Sequence, residues 1–238
     1  MWDDTGALGR LTRWLSLLVV LLLIGAGVAW VYHSDHFPIK KVAIEGKLVH
    51  LDGKVLQTIA QKHLSGNIFR ADMNAAQEAF QKLPWVDSAL VRRRLPDAVE
   101  IHLTERIAVA QWKKSDLVDS KGNIFQATLD QDLPVFEGQP GTGKDMVRHY
   151  NEFAGILGAR DLKMRELIYT PRSAWYIVLD NGITVRLGRE HEIKRLQLFA
   201  EIWPSLLQKH RNRLSYVDMR YKDGFSVRYN QPLDEPSE

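Results

Sequence analysis

The residues best suited to chemistry lie in Gly138-Gln139-Pro140-Gly141-Thr142-Gly143-Lys144, which fills the first seven places of a phosphate-binding loop. An apolar stretch from Leu133 to Phe136 precedes it and a helical pattern follows, as that chemistry requires. Ile177-Val178-Leu179-Asp180 adds an apolar run ending in an aspartate of the kind that holds magnesium. Three features oppose nucleotide binding. Asp145 stands where a hydroxyl should reach the metal, and a carboxylate there repels phosphate at a helix N-terminus. Pro140 removes a backbone donor from the cradle. Asp180 belongs to a hairpin turn, Asp180-Asn181-Gly182, rather than to the end of a parallel strand. A membrane-tethered nucleotide hydrolase using Lys144 is therefore kept only as an alternative.

Other chemistry-bearing residues are dispersed. The eight histidines form no HExxH motif and no i, i+4 pair, so no zinc site is expected. Glu190-His191-Glu192 opens an amphipathic pattern, where acidic residues complement the helix dipole. No GxSxG is present, and the absence of cysteine removes both disulfides and a thiolate nucleophile. Arg92-Arg93-Arg94 alternates across a strand, and one of the three is expected to pair with Glu100 over a hairpin. A net charge of +3 is too small to call for a nucleic-acid partner. The expectation is a protein that is not an enzyme and carries no cofactor or metal.

The elements that position these residues begin with an apolar run, Trp14 to Tyr32, in which only Ser16 is polar. Its 19 residues make a helix of about 28 Å, close to the roughly 30 Å of a hydrocarbon core. A cleaved signal peptide is the rival reading, since Gly27-Val28-Ala29 could serve as a cleavage site, but the run exceeds the usual signal length. Trp14, Trp30 and Tyr32 suit interfacial positions and favour a retained anchor. Arg10 and Arg13 on one side are offset by Lys40 and Lys41 on the other, so charge alone leaves the orientation nearly undecided. Gly25 and Ala29 form a small-xxx-small pair open to helix packing.

Beyond the run, Lys41 to Gly46 alternates as a strand, and Asp52 and Asp72 can cap two helices. Two strands follow around Leu95-Pro96-Asp97. The order β-α-α-β-β predicts two helices over one face of a three-stranded sheet. From Val109 the pattern changes to short strands with glycine turns. Hairpins are expected around Ser120-Lys121-Gly122 and Asp180-Asn181-Gly182, and helices over Lys144 to Leu157 and Ile193 to Leu207. Strands Tyr216 to Arg220 and Phe225 to Tyr229 close the chain, around Asp223-Gly224. The expected class is α+β: tail 1–13, transmembrane helix 14–32, first domain 37–107, a mostly antiparallel β domain with two helices over 108–230, and a flexible tail 231–238.

Leu83-Pro84-Trp85-Val86, Val91-Arg92-Arg93-Arg94-Leu95-Pro96-Asp97, Ile101-His102-Leu103-Thr104-Glu105-Arg106 and Ala108-Val109-Ala110-Gln111-Trp112 closely resemble the bacterial FtsQ/DivIB cell-division family. Leu187-Gly188-Arg189, Lys194-Arg195-Leu196 and Tyr216-Val217-Asp218-Met219-Arg220-Tyr221 agree as well. The resemblance implies that the first domain is a POTRA domain. It also implies a single-pass inner-membrane protein at the division septum, with a cytoplasmic N-terminus and a periplasmic body. Members are divisome scaffolds without known catalytic activity that bind FtsB and FtsL and meet other divisome membrane proteins. The family binds FtsB by adding a strand to the edge of the β domain. Here that edge is Phe225 to Tyr229, and the partner-binding residues implied are Arg172, Arg220, Tyr221, Gly224, Phe225 and Tyr229. Departures from the pattern are Tyr229 for tryptophan in some relatives, Asp223 for serine and Arg228 for glycine. A secretion-type POTRA protein is the other alternative, although those usually feed a β-barrel.

Overall fold

The computed structural model describes residues 5–34, 36–113, 115–222 and 224–230. The expected C-terminal tail, the first four residues and Asp223 lie outside the described residues. Helix α1 (Thr5–His33) contains the apolar run and continues back through Arg13 and Arg10. Its side chains from Gly9 to Trp30 are exposed on every side, so it has no face covered by protein. The hydroxyl of Ser16 donates to the Thr12 carbonyl at 2.8 Å, which satisfies the run's one polar side chain inside the helix.

The chain divides into two compact units, one ending at Glu105 and the other beginning at Arg106. In the first unit, β1 (Lys41–Glu45), α2 (Gly53–His63), α3 (Met73–Gln81), β2 (Val86–Arg94) and β3 (Ala98–Glu105) follow the expected order. The sheet runs β1-β3-β2, with β1 parallel and β2 antiparallel to the central β3. Asp52 accepts from the Lys54 N–H, and Asp72 from those of Asn74 and Ala75, so both helices start at carboxylate caps. Leu56, Ala60, Ala76 and Phe80 recur at helical spacing and are buried against Val91, Val99 and Ile101. Arg94 makes the ion pair with Glu100. The register sets Arg92 opposite Glu100, so Arg94 reaches it diagonally. Arg93, on the other face, donates to the carbonyls of Ile68 at 2.8 Å and Ala71 at 2.7 Å.

The second unit holds β4 (Ala108–Trp112), β5 (Asp116–Asp119), β6 (Ile124–Phe125), β7 (Val135–Glu137), α4 (Gly143–Gly158), β8 (Met164–Tyr169), β9 (Trp175–Leu179), β10 (Thr184–Gly188), α5 (Glu192–Ile202), β11 (Leu214–Asp218) and β12 (Ser226–Tyr229). The described strands form one sheet in the order β12-β11-β10-β9-β8-β7-β4-β5-β6. Met146, Phe153 and Leu157 of α4 and Leu196 and Phe199 of α5 are buried with Leu167, Ile177 and Val185 of the sheet.

Several details differ from the sequence reading. The sheet is mixed: β7 lies parallel to β4 and β8, and β10 parallel to β11, because helical segments carry the chain across between β7 and β8 and between β10 and β11. The sequence pattern does not mark strand β8. A register shift between Met164 and Glu166 breaks the alternation by which a strand is recognised. The α-helix begun at Glu192 ends at Ile202 and gives way to a π turn over Trp203–Leu207. Pro204 has no N–H for the Ala200 carbonyl, and Arg160 Nε supplies the missing donor at 3.0 Å. Strand β11 ends at Asp218 rather than Arg220, and β12 starts at Ser226 rather than Phe225.

Candidate functional site

Strand β12 is the outermost strand of its sheet, and β11 is its neighbour. Its pairing with β11 sets Val217 opposite Val227 and Asp218 opposite Ser226. No described strand lies on its other side, so alternate N–H and C=O groups face outward unpaired. The period of two divides its side chains. Phe225, Val227 and Tyr229 pack against the core of the unit, while Arg228 is exposed. Tyr229 also meets the His210 ring edge-on at 5.9 Å. Of the residues implied for partner binding, Phe225 and Tyr229 thus spend most of their rings on their own sheet. Gly224 is exposed, and a Cβ added there would enter open space.

The turn into β12 is held by Asp218, whose carboxylate is almost fully buried. It accepts from the Arg220 backbone N–H at 3.1 Å, from Nε at 2.8 Å and from Nη2 at 2.6 Å. Burial works to raise the Asp218 pKa, but the hydrogen bonds and charge of Arg220, with the charge of Arg186, outweigh it and hold it below the ordinary value. The same carboxylate drives the Arg220 pKa upward. Arg186 lies over the Tyr216 ring at 4.1 Å, with its Nε buried and unpartnered and Nη1 4.0 Å from Asp218. One buried carboxylate therefore balances two arginines. The outer face of Arg220 is left half-exposed, and Tyr221 beside it is 60% exposed.

Arg172 sits in the turn between β8 and β9, where Thr170 accepts the Ser173 N–H through its carbonyl and the Ala174 N–H through its hydroxyl. Folding brings it to the same surface cleft as Arg220, about 660 Å³ in volume. Tyr176, Arg189, Glu190 and Arg195 line this cleft as well. Arg195 closes its floor by donating to the carbonyls of Leu187 at 2.6 Å and Arg220 at 3.2 Å. Gly188 permits that approach: its φ is +82°, and a Cβ there would lie 2.9 Å from Arg195 Nη1 and 3.1 Å from Arg220 Cγ. Among the described residues, neither Arg172 nor Arg189 has a carboxylate partner. With Arg220 balanced by Asp218, the charges of Arg172, Arg189 and Arg195 against Glu190 leave the cleft net positive. The sequence alone does not mark Asp218, Gly188, Arg189 or Arg195 as site residues. The spacing of Asp218 and Arg220, i and i+2 at a strand end, was the available signal.

The phosphate-loop look-alike is placed differently. It does follow a parallel strand and precede a helix, β7 and α4, as the motif requires. The turn at Gly122, however, packs against the backbone of Gly143 and Lys144, with the Gly122 carbonyl close to the Gly143 Cα. That turn is anchored by Asp119, which is 1% exposed and accepts from Arg106 Nη1 at 2.7 Å and from the N–H groups of Lys121 and Asn123 at 2.9 and 2.8 Å. Protein therefore covers the start of α4, where phosphate would need open amides. Asp145 pairs with Arg148 at 3.1 Å, and Asp180 accepts from the Asn181 N–H within its turn.

Comparison with known proteins gives two domain matches. The family described as cell division protein FtsQ/DivIB, C-terminal, matches residues 108–220, and the POTRA domain, FtsQ-type, matches residues 37–106. Strand β12 lies beyond the first of these matches. The chain is 54% identical over 230 residues to cell division protein FtsQ of Neisseria gonorrhoeae, covering 96% of this chain and 95% of that one. It is 55% identical over 221 residues to the Neisseria meningitidis FtsQ, covering 92% and 94%. With Escherichia coli FtsQ it shares 32% over 231 residues, covering 92% and 84%.

Proposed function

The chain belongs to the FtsQ/DivIB family of cell-division proteins, and from this premise we propose that it is a divisome scaffold that binds an FtsB–FtsL pair through the edge of β12. In this reading α1 anchors it in the inner membrane at the septum, with the N-terminus cytoplasmic and the POTRA and β domains periplasmic. The observation that carries it is the unpaired outer edge of β12 beside an arginine-lined cleft. An added strand would take its main-chain hydrogen bonds from that edge. Acidic residues of the partner would meet Arg172 and the open face of Arg220, and Tyr221 would supply a rigid aromatic contact. The packing of Phe225 and Tyr229 supports a supporting role for them, keeping β12 flat against its sheet while its backbone does the binding. The role is binding rather than catalysis, and the cover over Gly143 and Lys144 disfavours the nucleotide-hydrolase alternative. The POTRA domain matched is of the FtsQ type, which disfavours the secretion alternative.

The test uses Arg172→Glu and Tyr221→Ala in the full-length chain, with FtsB–FtsL capture as the readout. Arg172 is the better charge probe, because reversing Arg220 would also break its clamp on Asp218. Each variant should weaken capture about tenfold or more while leaving the fold intact. Undiminished capture by both would remove this edge from the interaction. A photoreactive residue at Tyr221 should crosslink FtsB in dividing cells.

A further inference from the structure

The last turn of α1 is fastened, within the first compact unit, to the loop between α2 and α3. Asn67 Nδ2 donates to the Val31 carbonyl at 3.1 Å and the Ser34 carbonyl at 2.6 Å, groups that a helix end leaves without intrahelical partners. The Ile39 N–H donates to the Gly66 carbonyl and the Ile68 N–H to the Phe37 carbonyl, both at 2.9 Å. Phe37 meets Phe69 edge-on at 5.6 Å. These contacts set the depth of the loop relative to a bilayer. The apolar run Trp14–Tyr32 spans about 28 Å at 1.5 Å per residue, which nearly fills the roughly 30 Å of a hydrocarbon core, so it ends at the core's edge. The end of α1 therefore stands at the level of the lipid head groups, where the exposed Trp30 and Tyr32 also belong. Asn67, in hydrogen-bond contact with Val31, stands there too.

At this depth a pocket of about 410 Å³ is lined by His33, His63, Ser65, Asn67, Arg70 and Asp72. The Arg70 backbone N–H is tied to the Asn67 carbonyl at 3.0 Å, which keeps its backbone next to Asn67. Its guanidinium has no carboxylate partner among the described residues. The one carboxylate in the lining, Asp72, is occupied with the first-turn amides of α3. Two imidazoles and a hydroxyl stand beside the guanidinium as further hydrogen-bonding groups. A planar cation held at the membrane surface, with polar groups around it, matches a phosphate ester. We propose that this pocket binds the phosphate of an anionic phospholipid head group and so seats the POTRA domain on the membrane.

The test measures binding of short-chain phosphatidylglycerol and phosphatidylcholine to the detergent-solubilised full-length chain by native mass spectrometry. The wild type should prefer phosphatidylglycerol. Arg70→Gln should lower that preference about fivefold, the factor carried by one basic residue at an anionic membrane surface. Arg70→Lys should retain most of it. Arg92→Gln, an exposed arginine outside the pocket lining, should change it less than twofold. An unchanged preference in Arg70→Gln, or an equal fall in Arg92→Gln, would overturn the assignment. So would displacement of phosphatidylglycerol by an equal concentration of inorganic phosphate, which would mark a site for free phosphate instead.

Discussion

Asp218→Asn should loosen the candidate binding edge without altering any residue that a partner could touch. The Asp218 carboxylate is 3% exposed, and three Arg220 nitrogens donate to it. A hydrogen bond to a charged group contributes about 1.5–3 kcal/mol. Half of the Arg220 side chain faces solvent, so its guanidinium regains water and the ion-pair share falls to about 1 kcal/mol or less. Asparagine keeps one oxygen for the Arg220 backbone N–H but leaves Arg186, whose Nε already lacks a partner, without a nearby carboxylate. The balance is a loss of about 2 kcal/mol, or roughly thirtyfold in a local opening constant. Hydrogen exchange by mass spectrometry on the full-length chain reads this directly. Amides of residues 219–230 should exchange about thirtyfold faster, while those of the hairpin at 175–187 should change little, because β12 has a single neighbouring strand and can open alone. The effect has a definite pH dependence. The folded-state pKa of Asp218 is depressed, so its stabilisation is fully present above the unfolded value near about 4 and is lost as pH falls through the lower folded value. The difference between wild type and variant should be constant from about pH 5 to 8 and shrink below about pH 4. An acceleration below threefold, or equal acceleration of the 175–187 hairpin, would refute the argument that Asp218 holds this edge locally.

Three further outcomes follow from the same geometry. Asp119→Asn should destabilise the second unit by about 2–3 kcal/mol, since its amide would face the Arg106 and Asn123 donors; urea denaturation checks this. The Asp119 pKa is likewise depressed, with burial outweighed by hydrogen bonds from Asn123, Arg106 and Lys121, so this difference too should shrink as pH falls below about 4. Gly188→Ala combines a positive φ with a close contact to Arg195 and Arg220, and should lower stability by about 1–3 kcal/mol and weaken FtsB–FtsL capture together. Lys144→Ala, on an exposed side chain, should change stability by less than about 0.5 kcal/mol, and calorimetry should detect no ATP binding by either protein.

Local rules made much of this chain legible before folding. An unbroken apolar run from Trp14 to Tyr32 marks a long helix, and the structure has one over Thr5–His33. Asp52 and Asp72 announced their helices because a carboxylate satisfies first-turn amides within two or three residues. Asp180-Asn181-Gly182 announced its hairpin because the turn itself needs a glycine, and Gly182 has φ +86°. What failed were rules that assume unbroken periodicity. The register shift in β8 concealed a strand, and Pro204 turned the end of a helix into a π turn whose freed carbonyl is bonded by Arg160, 40 residues away. The ending of β11 at Asp218 was hidden for a related reason: the next residues leave the ladder so that Arg220 can fold back onto the carboxylate.

The sequence by itself determined the long apolar N-terminal helix, the order of elements in the POTRA domain, and a family resemblance carried by ordered motifs that the comparisons then met. All of these are properties of neighbours along the chain, where the spacing of side chains is set by backbone geometry alone. Tertiary structure decided the rest. It placed Arg172 and Arg220 at one cleft, turned Phe225 and Tyr229 onto their own core, laid the Gly122 turn over the start of α4, and hung Asn67 from the end of α1. Each of these joins residues brought together by sheet order or by strand register. Those depend on burial of the whole core, since a shift of one residue along a strand reverses every side chain it carries.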